Sequence, residues 1–392
     1  MVLVWLIWIL LQVLIGYNLV LPVIIYLVSL LKKEPVIPAN DNTEADYALI
    51  VTAYEQVTNI PAVVNSILSL NYKQYLIYIV ADKCDVSGLQ FDDERVIVLR
   101  PETTLASNTR SHFYAIHNFK RDHERLTIID SDNLVHPEYL NELDKYFNAG
   151  YLAVQGIREA KNLNTTYACL DAARDIYYHF YDGKILFKVG SSATLAGSGM
   201  AFTTALYREC LEHLDITGAG FDKVLQSAIV GRDIRIAFAG SAIVYDEKTS
   251  DTGQLVNQRS RWINTWFKYF KFGFTLLAKG IAKPSWNQFL FGLILLRPPL
   301  FIFLLLSVFC LFINVFISWA VALLWVFGFL IFIIGFLLAL VQSPTDKRIY
   351  QSLINIPKFI FFQVAALLKV NKANQRSVAT RHTYNNPEDH ES

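Results

Sequence analysis

Two stretches of this chain carry no charged residue, one from Met1 to Leu31 and one from Pro298 to Thr345. A helix that crosses a bilayer needs about 20 apolar residues, so the first stretch predicts one span and the second predicts two. The turn between those two, near Asn314 to Trp319, is also uncharged. The first run has no basic leading segment and no small-residue cleavage site, and it reads as a retained span rather than a signal peptide. Between these stretches the pattern changes. "YALIVTAY" from Tyr47 is an apolar run that ends in a polar turn, and Ile60 to Leu70 follows with helical spacing. "LIYIVADKCD", "RVIVLR" and "RLTIIDSDN" read as further strands, with "RSHFYAIHNF" as a helix between the last two. Alternating strands and helices predict an α/β domain with a mostly parallel, Rossmann-like sheet, which places ligands beyond the C-terminal ends of its strands.

The expected organisation is an N-terminal transmembrane helix over 1–31 and the α/β domain over 45–262. An interface helix over 263–286 and two transmembrane helices over 287–343 follow. A last amphiphilic helix over 352–370 is interfacial or membrane-bound, and a polar tail covers 374–392. Lys32 and Lys33 follow the first span, Lys268, Lys271, Lys279 and Lys283 precede the second, and Lys347 and Arg348 follow the third. Basic residues at span edges mark the cytoplasmic side, so the domain is expected in the cytoplasm of a multi-pass inner (plasma) membrane protein.

Composition sharpens this only in part. The 392 residues are 53% hydrophobic with a mean hydropathy of +0.32, an excess concentrated in the uncharged runs. A net charge of +1 gives no reason to invoke nucleic acid as a partner. Cys84, Cys169, Cys210 and Cys310 show no paired spacing and are expected to be reduced packing residues.

Candidate chemistry gathers at the predicted strand ends. Thr52, Tyr54 and Glu55 follow the first strand, Asp82 ends the second, and Asp130 and Asp132 end "LTIID". Side chains alternate along an extended chain, so Asp130 and Asp132 point to one side. Two carboxylates facing a diphosphate suit a hard divalent cation, Mg2+ or Mn2+, which would neutralise a leaving diphosphate. Asp82 is placed to accept hydrogen bonds from a nucleobase or ribose. Taken singly these patterns are weak, because acids at strand ends also cap helices. No glycine-rich phosphate loop of the dinucleotide or Walker type is present.

The order of short motifs carries more weight. "TAYE", "VADKCD", "DSDN", "AVQG", "LAGSGMAF", "FDKVLQ", "VYDEK" and "QRSRW" succeed one another between Tyr47 and Phe270. This series resembles the processive branch of the family-two, inverting glycosyltransferases of GT-A fold, which includes bacterial chitin oligosaccharide, hyaluronan and poly-N-acetylglucosamine synthases. The resemblance implies that Thr52, Tyr54, Glu55, Asp82, Asp130 and Arg261 bind a UDP-sugar, with Asp130 and Asp132 at the metal. It implies Asp222 as general base, and Gly197, Ser198, Gly199, Gln258 and Trp262 around the acceptor. Arg261 would meet the diphosphate and Trp262 would stack under the acceptor sugar. Three departures stand out: Phe221 replaces the acid that usually precedes the base, "NTRSH" replaces a glycine-lysine pair, and only two spans follow the domain. Arg110 offers a substitute charge for that pair.

The implied reaction is a single in-line displacement that moves a sugar from a UDP-sugar to a growing poly- or oligosaccharide with a beta linkage. A membrane partner is implied, and the few spans leave room for export or accessory partners. The alternative is a glycolipid-forming transferase with a membrane-lipid acceptor. A non-enzymatic membrane scaffold is a third class, disfavoured by the presence of the acids and the base.

Overall fold

The computed structural model describes residues 2–38, 44–250 and 252–368. The expected polar tail over 374–392 lies outside the described residues. Among the described residues eight strands form one sheet: β1 Tyr47–Tyr54, β2 Tyr75–Asp82, β3 Val96–Leu99, β4 Arg125–Asp130, β5 Leu134–Val135, β6 Ala153–Ala160, β7 Met200–Thr203 and β8 Ile236–Asp246. Their spatial order is β3-β2-β1-β4-β7-β6-β8-β5. Four of the seven pairings are parallel, whereas β7 runs antiparallel to both β4 and β6 and β5 antiparallel to β8. The sheet of this α/β domain is therefore mixed, rather than mostly parallel as expected. The apolar runs lie at its centre: β1 is buried from Tyr47 to Ala53 except at Thr52, as expected for a strand covered on both faces.

Register explains how separate motifs meet. Tyr54 lies opposite Asp82, and Thr52 lies opposite Asp130. The ends of β1, β2 and β4 thus form one edge. The helices behind it begin with local signals. Ser107 caps Asn108–His117, Thr165 caps Thr166–Tyr178 and Thr203 caps Thr204–Leu211, each accepting a backbone N–H from the first turn.

Among the described residues three helices are long and apolar enough to cross a membrane: Val2–Leu30, Leu300–Ile317 and Trp319–Val341. Buried polar groups tie them together, since Asn314 donates to Gln12 Oε1 at 2.6 Å and the Trp325 indole donates to the same oxygen at 2.9 Å. Such interhelical bonds hold spans that lack a hydrophobic driving force between them. The expected interface helix over 263–286 is two pieces. Thr252–Tyr269 contains the whole "QRSRW" motif and continues past residue 262, and Lys271–Ala282 follows it. A short apolar helix, Trp286–Leu296, precedes the second long one, and Ile356–Leu368 packs back on Thr252–Tyr269.

Candidate active site

A cavity of about 540 Å³ opens beyond the strand ends. Asp130, Asp132 and Asp222 line it, together with Gly197, Gln258, Arg259 and Trp262. A larger space of about 1210 Å³ lies on the other side of Arg158, Asp175 and Lys248, but neither Asp130 nor Asp222 reaches it. The smaller cavity is the one that gathers the candidate residues.

Its carboxylate end is built on β4 and the turn after it. The Ser198 hydroxyl accepts from the Asp130 N–H at 3.0 Å and from the Asn133 amide at 2.8 Å, which pins the turn. Ser198 is fully buried, and its visible work is this support. Lys161 donates to the Asp132 carbonyl at 3.1 Å. Burial and the nearby carboxylates of Asp132, Asp246 and Asp222 push the Asp130 carboxyl up to about 8, with Arg158 opposing them. Four acids thus crowd the site, with Lys248 and Arg158 paired to Asp246 and Lys223 to Asp222.

That environment fits a divalent cation. Among the described residues no group of three or more His, Cys, Asp or Glu side chains forms a metal cage. Two carboxylates suffice for Mg2+ or Mn2+ where substrate phosphates and water complete the shell. Asp130 and Asp132 would hold such an ion, which would supply positive charge to a leaving diphosphate.

The opposite wall comes from Phe221–Gly231, with the candidate base Asp222 in its first turn. Gly220 precedes the helix at φ +103°, and a Cβ there would lie 2.5 Å from the Tyr269 ring. Only glycine lets this turn approach the "QRSRW" helix so closely. The loop from Leu195 to Gly199 faces Asp222. Gln226 accepts from the Leu195 N–H at 3.0 Å, and Gln155 accepts from the Ala196 N–H at 2.9 Å. Gly199 has φ +65°, and a Cβ would meet the Val244 side chain at 2.9 Å.

The third wall is a buried ion network. Arg158 lies 3.7 Å from Asp175 and 3.6 Å from Asp246, and Lys248 reaches the same two acids at 2.6 and 2.8 Å. Arg174 reaches Asp175 at 2.5 Å, and Asp171 takes both Arg174 and Arg259. Burial alone would raise Asp175, but Arg174, Lys248 and Arg158 outweigh it and hold this carboxyl well below its usual range. The guanidinium carbons of Arg174 and Arg259 sit 4.3 and 4.2 Å from the centroid of the Trp262 ring, which stays 39% exposed.

The expected residues do not all meet. Arg261 is on the same helix but does not line the cavity, and burial lowers its affinity for a proton. Arg259 lines it instead, buried, with Nε and Nη1 lacking partners. Asp82 is 2% exposed and accepts from the backbone N–H groups of Leu105 and Ala106 at 2.9 and 2.7 Å, so it holds that loop. Glu55, with φ +60°, pairs with Lys83 at 2.7 Å at the surface, and Thr52 and Tyr54 stay on the strand edge outside the cavity. Ser198 and Gly199 lie behind the loop whose Gly197 lines the cavity. Arg110 pairs with Asp215 at 2.6 Å and does not line the cavity. Arg158, Asp171, Arg174 and Asp175 were not anticipated. For Asp171, Arg174 and Asp175 the signal is the i, i+3, i+4 spacing of three charges in the otherwise apolar helix "YACLDAARDIYY", whereas Arg158 lies on β6.

The sequence profile described as "Glycosyltransferase like family 2" matches residues 45–265, more than half of the chain. The protein belongs to that family. It is thus a glycosyltransferase of family 2, drawing on a nucleotide-sugar donor. Among solved structures, the mannosyltransferase PcManGT from Pyrobaculum calidifontis, in complex with GDP-Man and Mn2+, superposes with a TM-score of 0.57. Identity is 12%, over 92% of this chain and 99% of that one, so the likeness is one of fold. TarS 1–349 of S. aureus in complex with UDP-GlcNAc gives 0.40 and 14% over 59% of this chain and 66% of its own. A comparison with curated proteins gives no match.

Proposed function

We propose that this family 2 enzyme transfers a sugar from a UDP-sugar, with inversion, to an acceptor delivered from the membrane end of the cavity. One observation carries the reading. The cavity that holds Asp130, Asp132 and Asp222 continues along Trp266, Phe270, Leu295 and Phe301 toward the helix Leu300–Ile317. Carboxylates at one end and an apolar wall at the other suit an amphiphilic acceptor.

Asp222 takes the proton of the acceptor hydroxyl as that oxygen attacks the anomeric carbon opposite the nucleotide. The bond to the diphosphate breaks in the same step, so an alpha-linked donor gives a beta product. Arg259 is the cavity cation suited to the departing diphosphate, because its buried Nε and Nη1 have no partner while Nη2 holds Asp171. Ser198, Gln155 and Gln226 hold the acceptor loop and the metal turn in place. A growing saccharide acceptor is the second reading, favoured by the part-exposed Trp262 ring beside the loop.

The test is transfer by the purified protein in lipid nanodiscs, supplied with radiolabelled UDP- and GDP-sugars and Mn2+. Label entering the organic phase from a UDP-sugar, abolished by chelator, supports the leading reading. Label in water-soluble polymer selects the second. No turnover, or turnover in excess chelator, removes the scheme.

A further inference from the structure

We infer that the cavity carries a second anion site, on Arg297, for a phosphate that joins the acceptor's sugar to its apolar chain. This rests on the transferase reading and names the acceptor class within it. Arg297 lines the cavity and is 7% exposed. Its Nη2 is paired with Asp182, while its Nη1 is buried without a partner. Asp182 in turn leaves Oδ1 unpartnered. The pair is one-armed, with one charged donor and one acceptor left over side by side. A buried charged donor without a partner is costly, so a ligand that fills it gains correspondingly.

Position decides what that ligand is. Arg297 stands three residues before the helix Leu300–Ile317, and Pro298, Pro299, Leu300 and Phe301 continue the cavity wall from it. The Tyr178 ring lies 5.4 Å from its guanidinium carbon, and the Tyr178 hydroxyl accepts from the Leu300 N–H at 3.3 Å. This fixes the arginine at the junction of polar and apolar walls. An anion bound there has an apolar path on one side and the Asp222 end on the other. A phosphate ester accepts from Nη1, its neighbouring sugar hydroxyl donates to Asp182 Oδ1, and the chain runs along the apolar wall. The donor's own diphosphate is served by Arg259, on the opposite side of Trp262 in sequence and on a different helix.

The experiment follows the melting temperature of the protein in phosphatidylcholine nanodiscs with decyl phosphate, decyl glucoside, inorganic phosphate or UDP plus Mn2+. Decyl phosphate is expected to raise it in a saturable way, and decyl glucoside and inorganic phosphate are not. In Arg297→Lys, which keeps the charge against Asp182, half-saturation by decyl phosphate should move up about tenfold or more while the UDP response stays. The double variant Arg297→Met with Asp182→Leu removes the pair without leaving a lone charge, and it should lose the decyl phosphate response too. An unchanged decyl phosphate response in these variants, or an equal response to decyl glucoside, overturns the site. Loss of the UDP response in Arg297→Lys also overturns it, by giving the arginine to the donor. Absence of any UDP response in the wild type would instead sink the transferase reading.

Discussion

The Lys223 ammonium lies 3.1 Å from the Asp222 carboxylate and donates to the Leu195 carbonyl at 3.2 Å. One side chain thus links the candidate base to the loop from Leu195 to Gly199. Lys223→Met should lower kcat by about 10–100-fold, the cost of one charge-assisted hydrogen bond, with UDP affinity retained. Lys223→Arg should recover most of it. Turnover kinetics beside UDP titration check this, and a parallel loss of UDP binding would contradict it.

Arg259 and Arg261 separate motif from geometry. The cavity wall contains Arg259 and not Arg261. Arg259→Lys keeps a charge for Asp171 but loses the planar fork, and it should weaken UDP binding and turnover together by about 10–100-fold. Arg261→Lys should change UDP affinity by no more than about twofold. The reverse order in a UDP titration would return the diphosphate to Arg261.

Two histidines should contribute a loss of stability on acidification. Burial lowers His112 from 6.5 to about 3, and its Nδ1 lies 2.7 Å from the Tyr207 hydroxyl. His179 is lowered to about 3 as well, mainly by burial. The unfolded chain binds these protons first, so stability present above pH 6.5 is lost as pH falls toward 3. Each group contributes a slope of at most about 1.4 kcal/mol per pH unit. His112→Gln should flatten the fall in melting temperature between about pH 6.5 and pH 4 relative to wild type. An unchanged slope would show that His112 is not neutral and buried.

Orientation can be read with thiols, because the four cysteines are buried and give little background. If the basic flanks face the cytoplasm, Pro344 lies inside and Phe316 outside. Pro344→Cys should resist an impermeant thiol reagent in intact cells, and Phe316→Cys, at a 75% exposed position, should react. The opposite labelling would invert the topology.

Much of the framework was legible in the chain. The apolar runs of β1, β2 and β4 ended in polar turns that the sheet brings to one edge, and Asp130, Asp132, Asp222 and Trp262 line one cavity. What was hidden depended on rotation and on distant partners. A motif gives the order of Gln258, Arg259, Arg261 and Trp262 but not which face of the helix meets the cavity. Asp82 read as a ligand-binding acid, yet two loop amides more than twenty residues away occupy its oxygens. Gln155 and Gln226 were invisible as supports because their partners lie on other elements.

The central claim is that Asp222 removes the acceptor proton in a single displacement. Asp222→Asn keeps the side chain's shape and hydrogen-bonding reach but cannot take a proton. The direct measurement is single-turnover transfer by this variant beside its affinity for the UDP-sugar. Transfer should fall by about 10²–10⁴-fold while donor affinity changes little. Loss of donor binding, with residual transfer that tracks occupancy, would contradict the assignment and direct the search to Asp246 or Glu247.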